Sequence, residues 1–345
     1  MMSISKNGQN GDVNMVGKYH LRIEDKKVRY DLDIKRKYTL IKGNSAMGKT
    51  YLRDIIDDEG TVITCKLNVL SLEKKELSYK STLKDVSNCI IIIDEDVRGM
   101  TTKEFADLLK ESDNYFIIFS RKKLASIPIS LEEVYEFTSI TKYNNMNVPY
   151  TLTRLESSYL DLDTDKIIPE LLITEDSKSG NQFFSNVLNI PCISADGNAK
   201  VNAKLVEVAN DYKCIFIIVD GAAFGVYIDE VFDTIEHYNT DVFILAPESF
   251  EYLLLKAGAV RCNNKLLDET YDYCDKKHFL QECPNFNLGD NSLESWEQFY
   301  TAYLQYSSRG GKDTEYAKKC LKPYYLRYKN AVLALLPDKY LMRSK

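Results

Sequence analysis

The sequence predicts an α/β protein built from two successive parallel sheets and a mostly helical C-terminal region. Three observations carry that prediction. The apolar runs Cys89–Ile93 and Tyr115–Phe119 have the composition of parallel strands buried on both faces. Four strand–helix units follow one another between Leu171 and Lys256, the pattern of a parallel sheet. Beyond about Asn264 no strand pattern is visible and helical spacing takes over.

In chain order, Met1 to Gly17 is polar and reads as a disordered N-terminus, neither signal peptide nor membrane anchor. Tyr19–Ile23 and Val28–Leu32 read as two strands joined by a tight polar turn, and Tyr38–Ile41 as a third strand running into a glycine loop. Tyr51–Ile56 continues as a helix, and Thr61–Leu70 is strand-like. Thr101–Lys110 has helical spacing between the two apolar runs. The stretch from about Asn144 to Pro169 is polar and carries the acidic run Asp161–Asp165, so a boundary between domains is expected there. Strands at Leu171–Thr174, Cys192–Ser194, Ile215–Val219 and Val242–Leu245 then alternate with helices at Asn181–Leu188, Ala199–Val208, Val226–His237 and Phe250–Lys256. The expected domains are therefore 18–157, 168–260 and a helical region 261–345.

Bulk properties exclude several classes. The chain has 345 residues, enough for two modest cores, and 44% hydrophobic with 28% charged residues is an ordinary globular composition. No stretch approaches the roughly 18 apolar residues of a membrane span, so no membrane partner is expected. A net charge of −6 excludes an overall basic coat and leaves only a local groove for DNA or RNA. The eight cysteines are scattered, several within apolar runs (Cys65, Cys89, Cys214), which suits buried thiols in a reducing cytoplasm.

The motif that carries chemistry is Gly43-Asn44-Ser45-Ala46-Met47-Gly48-Lys49-Thr50, with a strand entering it and a helix leaving it. Gly43 and Gly48 let backbone N–H groups face phosphates; Lys49 places a charge on the β- and γ-phosphates; Thr50 offers its hydroxyl to magnesium. This is a P-loop, and it implies a nucleoside triphosphate, ATP, with Mg2+. Ile90–Ile93 followed by Asp94-Glu95 resembles a Walker B motif, which assigns Asp94 to magnesium and Glu95 to the attacking water. Ser120 and Arg121 end the next strand, where many P-loop ATPases place a sensor of the γ-phosphate. From Lys18 to Phe137 the chain resembles P-loop ATPases of the ABC and AAA types. It departs from the ABC pattern in lacking a Leu-Ser-Gly-Gly-type signature, and the gap between its two motifs is too short for the usual helical subdomain.

Reading the carboxyl ends of the second set of strands gives Glu175, Asp220 and Glu248, with Glu251 one turn on. Acids converging there could hold magnesium for phosphodiester chemistry. The arrangement resembles the Toprim fold of topoisomerases, primases and overcoming-lysogenisation-defect family nucleases over about Glu170 to Gly258. That fold implies a Glu after the first strand, an Asp-x-Asp after the third and often an acid after the fourth. Ala222 stands where the second Asp of the pair belongs, and the loss of that carboxylate weighs against two-metal cleavage.

In the tail, Cys262, Cys274, His278 and Cys283 lack paired-knuckle zinc spacing. Trp296, Phe299, Tyr300, Tyr303 and Tyr306 have the spacing of a helix core face. Arg309, Lys312, Lys318, Lys319, Lys322, Arg327 and Lys329, mixed with Tyr324, Tyr325 and Tyr328, form either a solvated basic face or a phosphate-backbone contact. The expectation is an ATP-hydrolysing, homo-oligomeric cytoplasmic protein acting on or sensing nucleic acid, a pairing of modules that the resemblance associates with phage-defence or mobile-element systems. The rival expectations are an ATP-regulated scaffold or sensor working with a partner subunit, and a small-molecule kinase.

Overall fold

The computed structural model describes residues 18–43, 48–72, 76–139, 148–154, 169–238, 240–262, 267 and 296–336. The first sheet has nine strands: β1 (Tyr19–Glu24), β2 (Val28–Ile34), β3 (Tyr38–Lys42), β4 (Val62–Thr64), β5 (Asn68–Ser71), β6 (Cys89–Ile93), β7 (Tyr115–Phe119), β8 (Val134–Ser139) and β9 (Val148–Arg154), in the order β4-β1-β2-β9-β8-β3-β7-β6-β5. Its helices are α1 (Lys49–Ile55), α2 (Glu76–Asp85) and α3 (Lys103–Glu111). In β1, Tyr19, Leu21 and Ile23 are buried while His20 and Arg22 face solvent and meet Asp31 and Asp33 of the antiparallel β2. Every residue of β6 and β7 is buried, as their unbroken apolar composition requires, and so is every residue of β3, Thr39 and Lys42 included.

The two edges of this sheet, β4 and β5, are joined by only Cys65, Lys66 and Leu67. Four Cα steps reach about 14 Å, whereas nine flat strands would span about 38 Å. The sheet therefore curls until its edges approach, and α1 lies in the trough. Leu52 and Ile55 of α1 join Leu21, Ile23, Leu32, Ile41, Ile92, Ile117 and Phe119 in one buried cluster. The expected single strand-like segment Thr61–Leu70 is thus two short strands on opposite edges.

The second sheet is β10 (Leu171–Thr174), β11 (Cys192–Ser194), β12 (Cys214–Ile218) and β13 (Asp241–Leu245), all parallel, in the order β11-β10-β12-β13. Its helices are α4 (Ser179–Val187), α5 (Val201–Val208), α6 (Ile228–Ile235) and α7 (Phe250–Lys256). Alternate residues of its strands enter different cores. Leu171, Ile173, Ile215 and Ile217 join α5, α6 and the outer face of the first sheet, including Leu40, Ile91 and Phe116. Leu172, Phe216 and Ile218 pack on α4, α7 and the helical region α8 (Trp296–Ser307), α9 (Pro323–Leu326) and α10 (Lys329–Leu333). Trp296, Phe299 and Tyr300 lie on the buried face of α8 as their spacing predicts, Leu304 joins them, and Tyr303 and Tyr306 are only partly buried against the same cluster.

Three elements lie outside the sequence expectation. Helix α2 buries only Tyr79 and Leu83 among its described side chains. Strands β8 and β9 extend the first sheet, β9 from within the polar stretch expected to end the domain. Pro149 argues against a strand on sequence grounds, yet β9 is held on both sides, parallel to β2 and antiparallel to β8. Met1–Gly17, Asn44–Met47 and the acidic run Asp161–Asp165 lie outside the described residues.

Candidate functional site

The glycine loop leaves β3 at Gly43, φ 111°, and re-enters helix at Gly48, φ 84°. A side chain at Gly48 would be strained by that φ and would meet the Tyr30 hydroxyl at 3.0 Å and the Tyr150 ring at 3.3 Å. Tyr30 donates from its hydroxyl to the Gly48 carbonyl at 2.8 Å and stacks on Tyr150, centroids 5.0 Å apart. The two tyrosines fix the start of α1, and burial pushes the Tyr30 phenol well above its usual range. Lys49, 8% exposed, donates its ammonium to the Gly43 carbonyl, and burial lowers its pKa.

Strand β6 is separated from β3 by β7 alone, and the residues that follow β6 and β7 open on one cleft with the start of α1. Asp94 is buried at 4% exposure; its Oδ1 accepts from the Glu95 N–H at 2.8 Å and its Oδ2 from Arg53 Nη1 at 2.6 Å. Glu95 accepts from Arg121 at both oxygens, Nε to Oε2 at 2.9 Å and Nη2 to Oε1 at 2.5 Å. That guanidinium holds the Glu95 carboxyl below the usual range. The cleft encloses about 380 Å³ and is lined by Tyr30, Lys49, Thr50, Asp94, Glu95, Arg121 and Tyr150 among others, within the ordinary size of a small-molecule site. Ser120 does not join it. Its hydroxyl donates to the Lys122 carbonyl and accepts from the Lys122 N–H, both at 3.0 Å, closing its own turn. Of the strand-end pair Ser120-Arg121, only Arg121 lines the cleft.

At the carboxyl edge of the second sheet, Asp220 feels the charge of both Glu175 and Glu251, and all three feel Glu297 and Lys318. Burial, then Glu297 and Asp176, push the Glu175 carboxyl up to about 7. Burial, then Glu297 and Glu175, push Asp220 well above the carboxylate range. Glu251 is fully buried and accepts from the Tyr316 hydroxyl at 2.5 Å. Lys318 opposes these charges and donates to Glu297 at 2.5 Å.

Glu248 is not part of this group, contrary to the sequence expectation. Its Oε1 accepts from Arg36 Nη2 at 2.5 Å, on the side facing the first sheet. The reason is local. Ser249 caps α7 by accepting from the Tyr252 N–H at 3.1 Å, so Glu248 precedes the helix while Glu251 sits in its first turn. Ala222 is 3% exposed and packs among apolar residues. Among the described residues, no group of three or more His, Cys, Asp or Glu side chains is arranged to hold a metal ion.

Sequence reasoning missed Arg53, Tyr30 and Tyr150 at the cleft, and Glu297, Tyr316 and Lys318 at the acidic edge. All six reach their sites through tertiary packing, and no motif marks them. Of the cysteine–histidine group, only Cys262 is described, and it is half-buried. Two tail cations cover rings of the tail itself, Arg309 over Tyr306 and Arg327 over Tyr324. No helix among the described residues is long and apolar enough to cross a membrane. No protein-family model matches the chain, and no curated protein sequence matches it significantly.

Proposed function

We propose that this chain binds a nucleoside triphosphate, ATP, in the cleft between β3, β6 and β7, and hydrolyses it. The observation that supports this best is the convergence of Lys49, from the start of α1, with Asp94, Glu95 and Arg121, from two neighbouring strand ends, on one cleft that Thr50 also lines. Lys49 would meet the β- and γ-phosphates, and Glu95 would orient the attacking water. Thr50 and Asp94 are the residues to hold magnesium, which when bound neutralises charge on the phosphates. The test is nucleotide binding and phosphate release by the wild-type chain, Lys49→Ala and Glu95→Gln. Binding lost in the first variant, and binding without turnover in the second, are expected. A wild-type chain that binds no nucleotide overturns the reading.

The four parallel strands with Glu175, Asp220 and Glu251 at their carboxyl edge support a Toprim-like reading of the second sheet, joined to nucleic acid in a defence or mobile-element setting. A second reading, an ATP-regulated scaffold or sensor, is favoured by one specific arrangement. Ala222 is built into the core and Glu248 is committed to Arg36, so two acids expected at the edge are absent from it. Magnesium- or manganese-dependent cleavage of DNA or RNA, lost in Glu175→Ala and Asp220→Ala, supports the nuclease; no cleavage with either metal supports the scaffold.

A further inference from the structure

The segment between α8 and α9 crosses the carboxyl edge of the second sheet, and hydrogen bonds pin it on both sides of Lys318. The Tyr316 hydroxyl shares a hydrogen bond with Ser179 Oγ at 2.7 Å and donates to Glu251, so it ties α4 to α7. The Lys318 carbonyl accepts from the Ser179 N–H at 3.1 Å. Gln182 donates from Nε2 to the Lys319 carbonyl at 3.1 Å, and its Oε1 accepts from the Leu321 N–H at 2.8 Å. The backbone therefore delivers the Lys318 side chain to the acids. Its ammonium bonds Glu297 and feels the charge of Glu251, Asp220 and Glu297, which together outweigh the cost of burying it.

Glu251 shows what that ammonium is for. It is fully buried, one oxygen is taken by Tyr316, and Oε2 has no hydrogen-bond partner among the described residues. A buried carboxylate left so is costly unless a positive charge faces it, and the strongest charge that Glu251 feels is that of Lys318. Magnesium makes other demands: about six oxygens, nearly octahedral, at about 2.0–2.1 Å. An ammonium is satisfied by carboxylates at ordinary hydrogen-bond distance. Ala222 supplies no oxygen, and Glu248 is turned to Arg36. The donor set suits the ammonium and does not suit the metal.

We infer that the Lys318 ammonium is the resident cation of the acidic edge, seated where the sequence assigns magnesium, and that it keeps divalent metal ions out of the wild-type chain there. The edge is then a neutralised joint that fastens the helical region to the second sheet. The inference deepens the scaffold reading of that sheet and rests on it.

Removing the ammonium should let a metal ion take its place. The full-length wild-type chain, Lys318→Met and the double variant Lys318→Met/Glu251→Gln are compared at mildly alkaline pH without nucleotide. Manganese binding is read from the paramagnetic resonance of the unbound ion, and its effect on stability from thermal melts. The glycine-loop cleft is the same in all three proteins, so differences among them report the acidic edge. Lys318→Met is expected to bind Mn2+ about tenfold or more tightly than wild type and to be stabilised by it, and the double variant to lose both gains. If Lys318→Met does not fold alone, it and Lys318→Gln are refolded with and without Mn2+; recovery with the ion alone supports the inference, and no recovery in either variant overturns it. A Lys318→Met chain that gains no affinity also overturns it. A wild-type chain that binds Mn2+ as tightly as Lys318→Met, yet cleaves no DNA or RNA, overturns the resident cation and leaves the scaffold reading standing. Metal-dependent cleavage by the wild-type chain, lost in Asp220→Ala, overturns both.

Discussion

Arg36 and Glu248 form a buried ion pair between the two sheets, Nη2 to Oε1 at 2.5 Å, with side-chain exposures of 5% and 2%. Arg36 precedes β3 and Glu248 follows β13, so the pair fastens the first sheet to the carboxyl end of the second. Glu132 and Glu133 stand 3.9 Å from the same guanidinium. Nearby, Lys42 reaches Asp229 with a 2.5 Å contact, and Lys123 bonds Glu230 at 2.7 Å.

Breaking that pair on one side strands a buried charge. Arg36→Ala or Glu248→Ala is expected to lose about 3–5 kcal/mol of stability. Replacing both, Arg36→Met with Glu248→Leu, is expected to lose much less than the two single losses added. Urea midpoints at constant slope are the measurement.

Gly221 offers a sharper steric test. A Cβ there would lie 2.3 Å from the Ala246 carbonyl oxygen, and its own N–H donates to Pro247 at 2.6 Å. Backbone cannot yield as a side-chain tip can, so Gly221→Ala is expected to destabilise by about 2–4 kcal/mol and to displace the adjacent Asp220. Gly60, with open space around it, is the control: Gly60→Ala is expected to stay within about 0.5 kcal/mol of wild type. Thermal melts of the two variants decide it.

The acidic edge makes stability depend on pH. The Glu175 carboxyl is held up to about 7, so the folded chain keeps a proton that the unfolded chain releases near 4.5. The stabilisation is complete below the unfolded value and is lost as pH rises through the folded one. Between pH 5 and 8 the wild-type chain should lose on the order of 2 kcal/mol from this group. Glu175→Gln should flatten that slope. Lys318 opposes the shift, so Lys318→Met should steepen the slope and extend it to higher pH. Urea titrations across that range show whether the slopes move in these directions.

Much of the architecture was legible because buried parallel strands write themselves as apolar runs. Cys89–Ile93, Tyr115–Phe119 and Leu171–Thr174 coincide with β6, β7 and β10. Strand β9 was hidden because Pro149 interrupts the strand-favouring residues of Val-Pro-Tyr-Thr-Leu-Thr-Arg, and because β2, one of the neighbours that hold it, lies far along the chain. At the cleft, local motifs gave Lys49, Thr50, Asp94 and Glu95. Ser120 failed because a hydroxyl at a strand end can satisfy itself within its own turn. At the acidic edge, strand ends pointed to Glu175 and Asp220, while the choice between Glu248 and Glu251 turned on where Ser249 starts a helix. Lys318 enters from a segment whose place on the sheet no sequence pattern announces.

The parallel pairing of β2 with β9, Val28 opposite Val148, has a temporal side. During synthesis the β1–β2 hairpin exists for about 120 residues before its next strand has been made. At 5–20 residues per second that wait is roughly 6–24 s. Throughout it, one edge of β2 offers unpaired backbone beside Tyr30, Leu32 and Ile34, all of them buried once the sheet is complete. A nascent chain in that interval is a template for strand pairing between copies. Ribosome crowding or a chaperone that covers the hairpin should therefore govern how much soluble protein a cell recovers.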